Sequence, residues 1–470
     1  MKKTNTIMAI VLVCILVVMT ACSSANNTNT NNNNNTGNTP GTNSPAPTDN
    51  GGEPLPYGLK SGKPYAGTEL TYLICCNTAA QFIGWEDSVA EFKELTGIDV
   101  KFTWDPLAGL QQKIITQSIG NQGKFDVTIF FDTWGNSLKH LLEPLDARIT
   151  ADNVDLSNFS QANMQQSTYD GQVYGIPARS HVMMLFYRQD VLDKLDLEVP
   201  TTWAELEQTA KTISEQGGGI HGFTTNFAKQ DADQNILVWL NFLQANGVDI
   251  FDQDYKPAFN SEAGIAATKQ FMNLVPYMPP GALAYNEGDL RTSFASGEAA
   301  MAIAWSWSYE IFQNPEFAKP EVIAGTGFSP EIPGPNGAAN PISMTWPIGI
   351  SASSKNKDAA WEWIKWMSNS DLEKKMVIDK SDPKRATIVS NQYSTFNDEQ
   401  VNEANNGFHK IMGEAMSNAG SKPLLPEWDQ VNDILGTAIT VMATGSDVQA
   451  TLDSAAKDVA DIMEKAGYYK

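Results

Sequence analysis

The stretch GQVYGIPARSHVMMLFYRQDV, Gly171–Val191, decides how the chain is organised. It reads as two strands with a break at Pro177. Gln172–Ile176 is a short run rich in aromatic and β-branched residues after a glycine. Pro177 has no backbone N–H to donate, so it is expected to end or edge that strand. Val182–Tyr187 begins a second apolar run, and Arg179, Ser180 and His181 lie between the two. Polar residues wedged between apolar strands suit a chain passing from one body to another beside something polar.

The chain before this stretch has a βαβαβ rhythm. Glu69–Cys75 reads as a buried first strand. Trp85, Val89 and Phe92 fall at helical spacing in a helix that Gly97 ends. Ile98–Trp104 alternates like a second strand, Leu107–Ile119 is helical, and Phe125–Phe131 is a continuous apolar strand of the kind buried on both faces. This order predicts an α/β fold with a parallel sheet and helices on both sides. Ligands on such sheets lie beyond the carboxyl ends of the strands. Asn77, Trp104-Asp105 and Asp132-Thr133-Trp134 therefore face a candidate cleft.

Beyond the stretch, Thr201 or Thr202 is placed to cap a helix that runs to Ile213. Gly217–Gly222 matches G-x-G-x-x-G in form but follows a helix rather than a strand, so it is read as a loop. Asp231, Asp233 and Asn235 lie at the start of the next helix, where capping is the plain alternative to ligand contact. Ala299–Trp307 is a strand of small residues ending in Trp305 and Trp307, which are two apart and share a face. Gly325–Asn340 is a Gly/Pro-rich linker back towards the first body. Trp346–Ser351 is a further strand. Ala360, Trp363, Ile364 and Met367 mark a helix, and Ser381–Ser390, with Arg385, is a second possible crossing. Val448 to Val459 forms a last amphipathic helix.

The ends and the composition set the setting. Lys2 and Lys3 precede an apolar run from Ile7 to Met19, which is short for a membrane span and suits a signal segment. Met19-Thr20-Ala21-Cys22 resembles the lipobox of bacterial lipoproteins, which implies diacylation of Cys22. Residues 22–61 are Asn, Thr, Pro and Ser-rich and cannot bury enough surface to order themselves, so they read as a tether. Roughly 400 residues remain, enough for two domains. A net charge of −22 argues against nucleic acid and against direct binding to anionic lipid. The four His are far apart, so no metal-ligand spacing appears. Cys75 and Cys76 are adjacent on a strand, so their side chains are expected on opposite faces as two separate thiols. Burial in the core accounts for most of the 12 Trp, but Trp faces are also what sugars stack on.

Five pieces in order resemble one family: Ala90–Val100, Asp126–Asp146, Gly171–Ile213, Phe294–Trp307 and Trp346–Met367. Behind a lipobox and tether, the chain resembles the extracellular solute-binding proteins of carbohydrate-importing ABC systems, the maltose-binding-protein group. The resemblance implies an α/β, periplasmic-binding-protein type fold, two lobes joined by hinge crossovers around a ligand cleft. The segments would be a signal peptide (1–21), tether (22–61), first lobe (62–179), second lobe (180–329), a return to the first (330–385) and a helical end in the second (386–470). It places the family's sugar-stacking Trp on Trp307, a polar contact on His181, and an acidic and aromatic contact region on Asp132 and Trp134. The full set of candidate contacts is Asn77, Asp132, Trp134, Arg179, His181, Asn235, Trp305, Trp307, Trp346 and Arg385. No cofactor is expected. The implied partners are a carbohydrate, two permease subunits with a separate ATPase, and the membrane through the lipid anchor. A monomer on the outer face of the cytoplasmic membrane follows. A secreted glycoside hydrolase, which needs two carboxylates about 5–10 Å apart, and a surface sugar sensor are the alternatives.

Overall fold

The computed structural model describes residues 55–77, 79–120, 123–229, 234–330, 332, 334, 339–381 and 389–469. Residues 1–54, with Cys22 among them, and Asp231, Asp233 and Arg385 lie outside the described residues.

The first half follows the expected rhythm: β1 (Glu69–Cys75), α1 (Ala80–Thr96), β2 (Asp99–Asp105), α2 (Leu107–Ser118) and β3 (Val127–Ile129). β1 lies between β2 and β3 and is parallel to both. The apolar run at 125–131 is longer than its paired strand, because Phe125 and Phe130 are buried by packing rather than by a ladder. α1 stops at Gly97, whose φ is 75°. A Cβ there would lie 2.6 Å from that of Ala66, so the turn requires glycine.

A hairpin of β4 (Thr168–Tyr169) and β5 (Gln172–Val173) leads into β6 (Ile176–Arg188), the longest strand. The expected strand at 172–176 is therefore split, and Pro177 does not end it: Pro177 lies inside β6. The ladder absorbs the missing N–H with an irregularity between Pro177 and Arg179. Pro177 faces Pro347, so neither can donate to the other's carbonyl at that rung, and Phe130 N donates to the Pro347 carbonyl at 3.1 Å instead. The Pro177 carbonyl accepts from Asn391 Nδ2 at 2.7 Å, and the Ala178 carbonyl from Gln81 Nε2 at 2.9 Å.

The second body contains α3 (Trp203–Gln216), which opens on a capping box of Thr202 and Glu205, and α4 (Gln234–Ala245). Then come β7 (Met301–Trp305), β8 (Thr326–Ser329) and β9 (Ser343–Ile350). The main sheet runs β2-β1-β3-β9-β6-β7, with β8 also on β6. β6 and β9 are antiparallel to each other, and β9 is antiparallel to β3. The chain ends with α5 (Lys357–Met367), α6 (Ser370–Ile378), α7 (Trp428–Ala443) and α8 (Val448–Lys465). α5 is buried almost all round, and its Lys365 is matched by Glu362 at 3.0 Å and Asp152 at 2.8 Å.

The apolar cores divide the chain into two α/β lobes. One gathers β1, β2, β3, α1 and α5, with Ile176 and Ala178 of β6 and Trp346, Ile348 and Ile350 of β9. The other gathers α3, α4, α7 and α8, with Met183 and Leu185 of β6, and with Ile342 and Met344. A third cluster, around Val182, Met184 and Phe186, lies on the opposite face of β6. Each of β6 and β9 thus has one end in each lobe, and these strands are the crossings. Among the described residues no helix is long and apolar enough to span a membrane.

Candidate functional site

β6 changes partners midway. Val182 faces Ser343 of β9, and the next residue, Met183, faces Trp305 of β7. Arg179 and His181 lie just before that exchange. Both point to where the two cores meet, because residues two apart on a strand share a face.

Three rings surround the Arg179 guanidinium. Its central carbon is 5.2 Å from the ring centre of Trp346, 5.3 Å from Phe82 and 5.7 Å from Trp307. Trp346 comes from β9, Phe82 from the first turn of α1, and Trp307 from the turn after β7. A cation among aromatic faces is held by their quadrupoles and still has five N–H donors to offer. Burial lowers the Arg179 pKa, while Glu310 and Glu287 support its charge through space.

His181 is fully buried. Its Nδ1 lies 3.2 Å from Ser306 Oγ, and its ring meets Trp307 edge-on at 4.5 Å and 86°. Nε2 has no hydrogen-bond partner among the described residues. Burial, then the Arg179 charge, pushes its pKa well below the ordinary histidine value, so the ring is neutral at physiological pH. Trp305 stacks on Trp307 at 5.2 Å and 22° and donates from Nε1 to Gln234 Oε1 at 2.6 Å. That bond fixes the inner ring and leaves Trp307, which is half-buried, as the outer one.

The remaining candidates divide. Trp346 is buried, and its Nε1 has no partner among the described residues. Trp134 reaches Trp346 through Phe131, with ring centres 4.8 Å and 4.1 Å apart at the two contacts. Asp132 is buried beside them; its Oδ1 accepts from Thr133 N at 2.7 Å and its carbonyl from Tyr169 Oη at 2.7 Å. Asn77 is exposed in the turn after β1. Asn235 turns away from this group: its Nδ2 donates to the Gly436 carbonyl at 3.1 Å and ties α4 to α7. The structure thus brings Arg179, His181, Trp305, Trp307 and Trp346 into one cluster, with Trp134 and Asp132 at its margin.

Phe82 and Gln234 belong to the cluster and were not singled out by sequence. The signal for Phe82 was its place in the first turn of the helix that follows β1, at the ligand-facing strand ends. Gln234 had no distinguishing signal beside Asn235, since both are polar residues in the first turn of one helix.

The arrangement offers flat aromatic faces, a cation, the Trp346 N–H and the His181 Nε2, at the meeting of two lobes. Such a set suits a ligand with C–H faces to stack and hydroxyls to hydrogen-bond. Among the described residues no group of three or more His, Cys, Asp or Glu is placed to hold a metal ion. A hollow of about 540 Å³ lies on the second lobe, lined by Tyr187, Tyr309, Phe328 and Asn406 among others, and contains none of the clustered residues.

Comparison with known proteins agrees with this architecture. The family model for "Bacterial extracellular solute-binding protein" matches residues 78–374. A Sinorhizobium fredii protein described as "Probable amino-acid ABC transporter periplasmic-binding protein y4oP" is 24% identical over 430 residues, covering 87% of this chain and 92% of its own length. The mannitol-binding protein of Pseudomonas aeruginosa is 24% identical over 397 residues, covering 79% and 88%. The crystal structure of an ABC transporter solute-binding protein from Agrobacterium radiobacter K84 in complex with ribitol superposes with a TM-score of 0.70 at 25% identity. It covers 84% of this chain and 99% of that one. With two lobes joined by crossing strands and a family match over most of its length, the chain belongs to the bacterial extracellular solute-binding proteins.

Proposed function

We propose that this protein captures a carbohydrate or alditol for an ABC importer and that the ligand lies against Trp307, Trp346 and Arg179. The observation that carries this reading is the Arg179 guanidinium between Trp346 of one lobe and Trp307 of the other. Closing on a ligand there removes water from a cation and three aromatic rings at once, which strengthens each hydrogen bond to a hydroxyl. The mannitol-binding relative supports a polyhydroxyl ligand. The comparisons give no support to a glycoside hydrolase.

The sequence supports a finer reading. Cys22 carries the lipid, the tether to residue 61 holds the lobes off the outer face of the membrane, and the protein works as a monomer. It passes its ligand to two permease subunits driven by a separate ATPase. Palmitate labelling that persists in Cys22→Ala would contradict the anchor.

A thermal-shift panel of mono- and oligosaccharides, alditols and amino acids tests the ligand class. At least one saccharide or alditol raises the melting temperature, and Trp307→Ala abolishes that shift while remaining folded. A shift with amino acids alone would replace the carbohydrate reading, as the S. fredii relative's description allows.

A further inference from the structure

Cys75 is the last residue of β1, and Cys76 follows it directly. On a continuing strand their side chains would diverge. Here the strand does not continue, because Cys76 has φ of 62°, in the left-handed region that non-glycine residues rarely occupy. That backbone angle takes the chain off the strand after Cys75, so strand alternation no longer separates the two neighbouring side chains. The two neighbouring thiols perturb each other, Cys76 holding the Cys75 proton on and Cys75 favouring the Cys76 thiolate. Both are free thiols in this structure, one buried and one half-buried, as expected, but the alternation behind the expectation of opposite faces stops at Cys76.

The place of the pair matters as much as its geometry. Cys75 is fully buried and Cys76 half-buried. Both thiols feel the charge of Arg179. The next helix holds the same wall in place: Gln81 donates to the carbonyl of Ala178, and Phe82 lies under the Arg179 guanidinium. The dithiol therefore belongs to the side of the cleft that carries Arg179.

We propose that Cys75 and Cys76 are joined by a disulfide between neighbours in the exported protein, and that this small rigid ring forms the cleft wall that positions Arg179. The wall role rests on the carbohydrate reading above; the bond does not. The chemistry is thiol–disulfide exchange with a small-molecule disulfide or an exported oxidoreductase in its disulfide form. The Cys76 thiolate attacks one sulfur of the oxidant and releases its partner as a thiol. The Cys75 sulfur, losing its proton to solvent, then attacks Cys76 and releases the second thiol. Two thiols are oxidised and one disulfide is reduced to two thiols. The roles follow from the environment: the neighbouring Cys75 thiol and the Arg179 charge favour the Cys76 thiolate, while Cys76 and burial hold the Cys75 proton on.

The bond would not be a stability staple. It closes no loop of intervening residues, so it removes little entropy from the unfolded chain. Adjacent Cα atoms are ~3.8 Å apart, closer than disulfides usually span, so the ring is strained and easily reduced. Its value lies in fixing the local wall, which separates it by measurement from an ordinary structural bridge.

The test uses full-chain protein recovered from the exported compartment and alkylated with iodoacetamide under denaturing conditions without reductant. The peptide carrying Cys75 and Cys76 should take no label and be lighter than its reduced form by two hydrogens; after reduction it should take two labels. Two labels before reduction would overturn the bond. For the wall role, the panel sugar with the largest thermal shift is titrated before and after mild phosphine reduction. Reduction should weaken its binding about tenfold, a change of about 1.4 kcal/mol, with the melting temperature of the unliganded protein unchanged. Equal affinity in both states would overturn the positioning role. If no panel sugar binds, the carbohydrate reading fails while the label count still decides the bond.

Discussion

Arg179 is a charge held where charge is costly. Burial disfavours its ionised form, and its compensation comes from three ring faces and from Glu310 and Glu287 through space. Replacing it with methionine keeps most of the stem packing and removes the desolvation cost. Arg179→Met should therefore melt no lower than the parent without ligand, yet bind the panel sugar at least about tenfold more weakly. A variant that loses stability and affinity together would make Arg179 a fold residue instead. Three other buried groups set the pH response. His181 is held well below the usual histidine value, and burial and then Lys380 hold His409 down to about 3. Burial pushes Glu373, on α6, up to about 7. A depressed histidine contributes stability above 6.5 that is lost as pH falls towards its folded value; a raised glutamate contributes stability below 4.5 that is lost as pH rises towards 7. Two histidines outweigh one glutamate, so the melting temperature should rise from pH 4.5 to 6.5. Glu373→Gln removes the opposing slope. Its stability relative to the parent should grow by on the order of 3 kcal/mol between pH 4.5 and pH 8 in denaturant titrations, and a pH-independent difference would refute the assignment. Arg179 and His181 were legible because polar residues between apolar runs need a reason. The turn at Cys76 was not, because it depends on one backbone angle that alternation along a strand does not encode.

At the scale of elements, β6 carries the design. One strand pairs with β9 in the first lobe and with β7 and β8 in the second, so the residues at the exchange are placed by both cores. The apolar runs on either side of Arg179 and His181 were readable from alternation and composition, and so was the parallel β2-β1-β3 unit. Pro177 misled because a proline in a sequence reveals its missing donor but not what lies opposite. Here Pro347 lies opposite, and the freed carbonyls are taken by Gln81 of α1 and by Asn391, both remote in sequence. Those amides are what let the strand run through. Gln81→Leu leaves the buried Ala178 carbonyl without its donor and should cost about 1–3 kcal/mol in chemical unfolding. It should also loosen ligand binding, since Phe82 is the next residue on the same turn. A cost below about 0.5 kcal/mol, the range of a neutral surface change, would show that the irregularity at Pro177 does not need that bond.

For the whole molecule, the decisive feature is that members from 59–178 and 346–377, with Val401, build one core while members from 183–344 and 428–463 build another, and the Arg179 cluster takes rings from both. The family resemblance was legible from five stretches in order. The cluster was legible only in part, because convergence of Phe82, Trp307, Trp346 and Arg179 is a property of the crossing, not of any local pattern. Hinge motion about β6 and β9 would change the gap between Trp307 and Trp346 more than it changes either core, which is how a receptor of this type senses occupancy. The most direct measurement is a crystal structure of the full lobes with the panel sugar that gives the largest thermal shift. The sugar should lie against Trp307 and Trp346 with a hydroxyl within hydrogen-bond distance of the Arg179 guanidinium. Sugar in the hollow lined by Tyr187, Tyr309 and Phe328, with the Arg179 cluster untouched, would contradict the account.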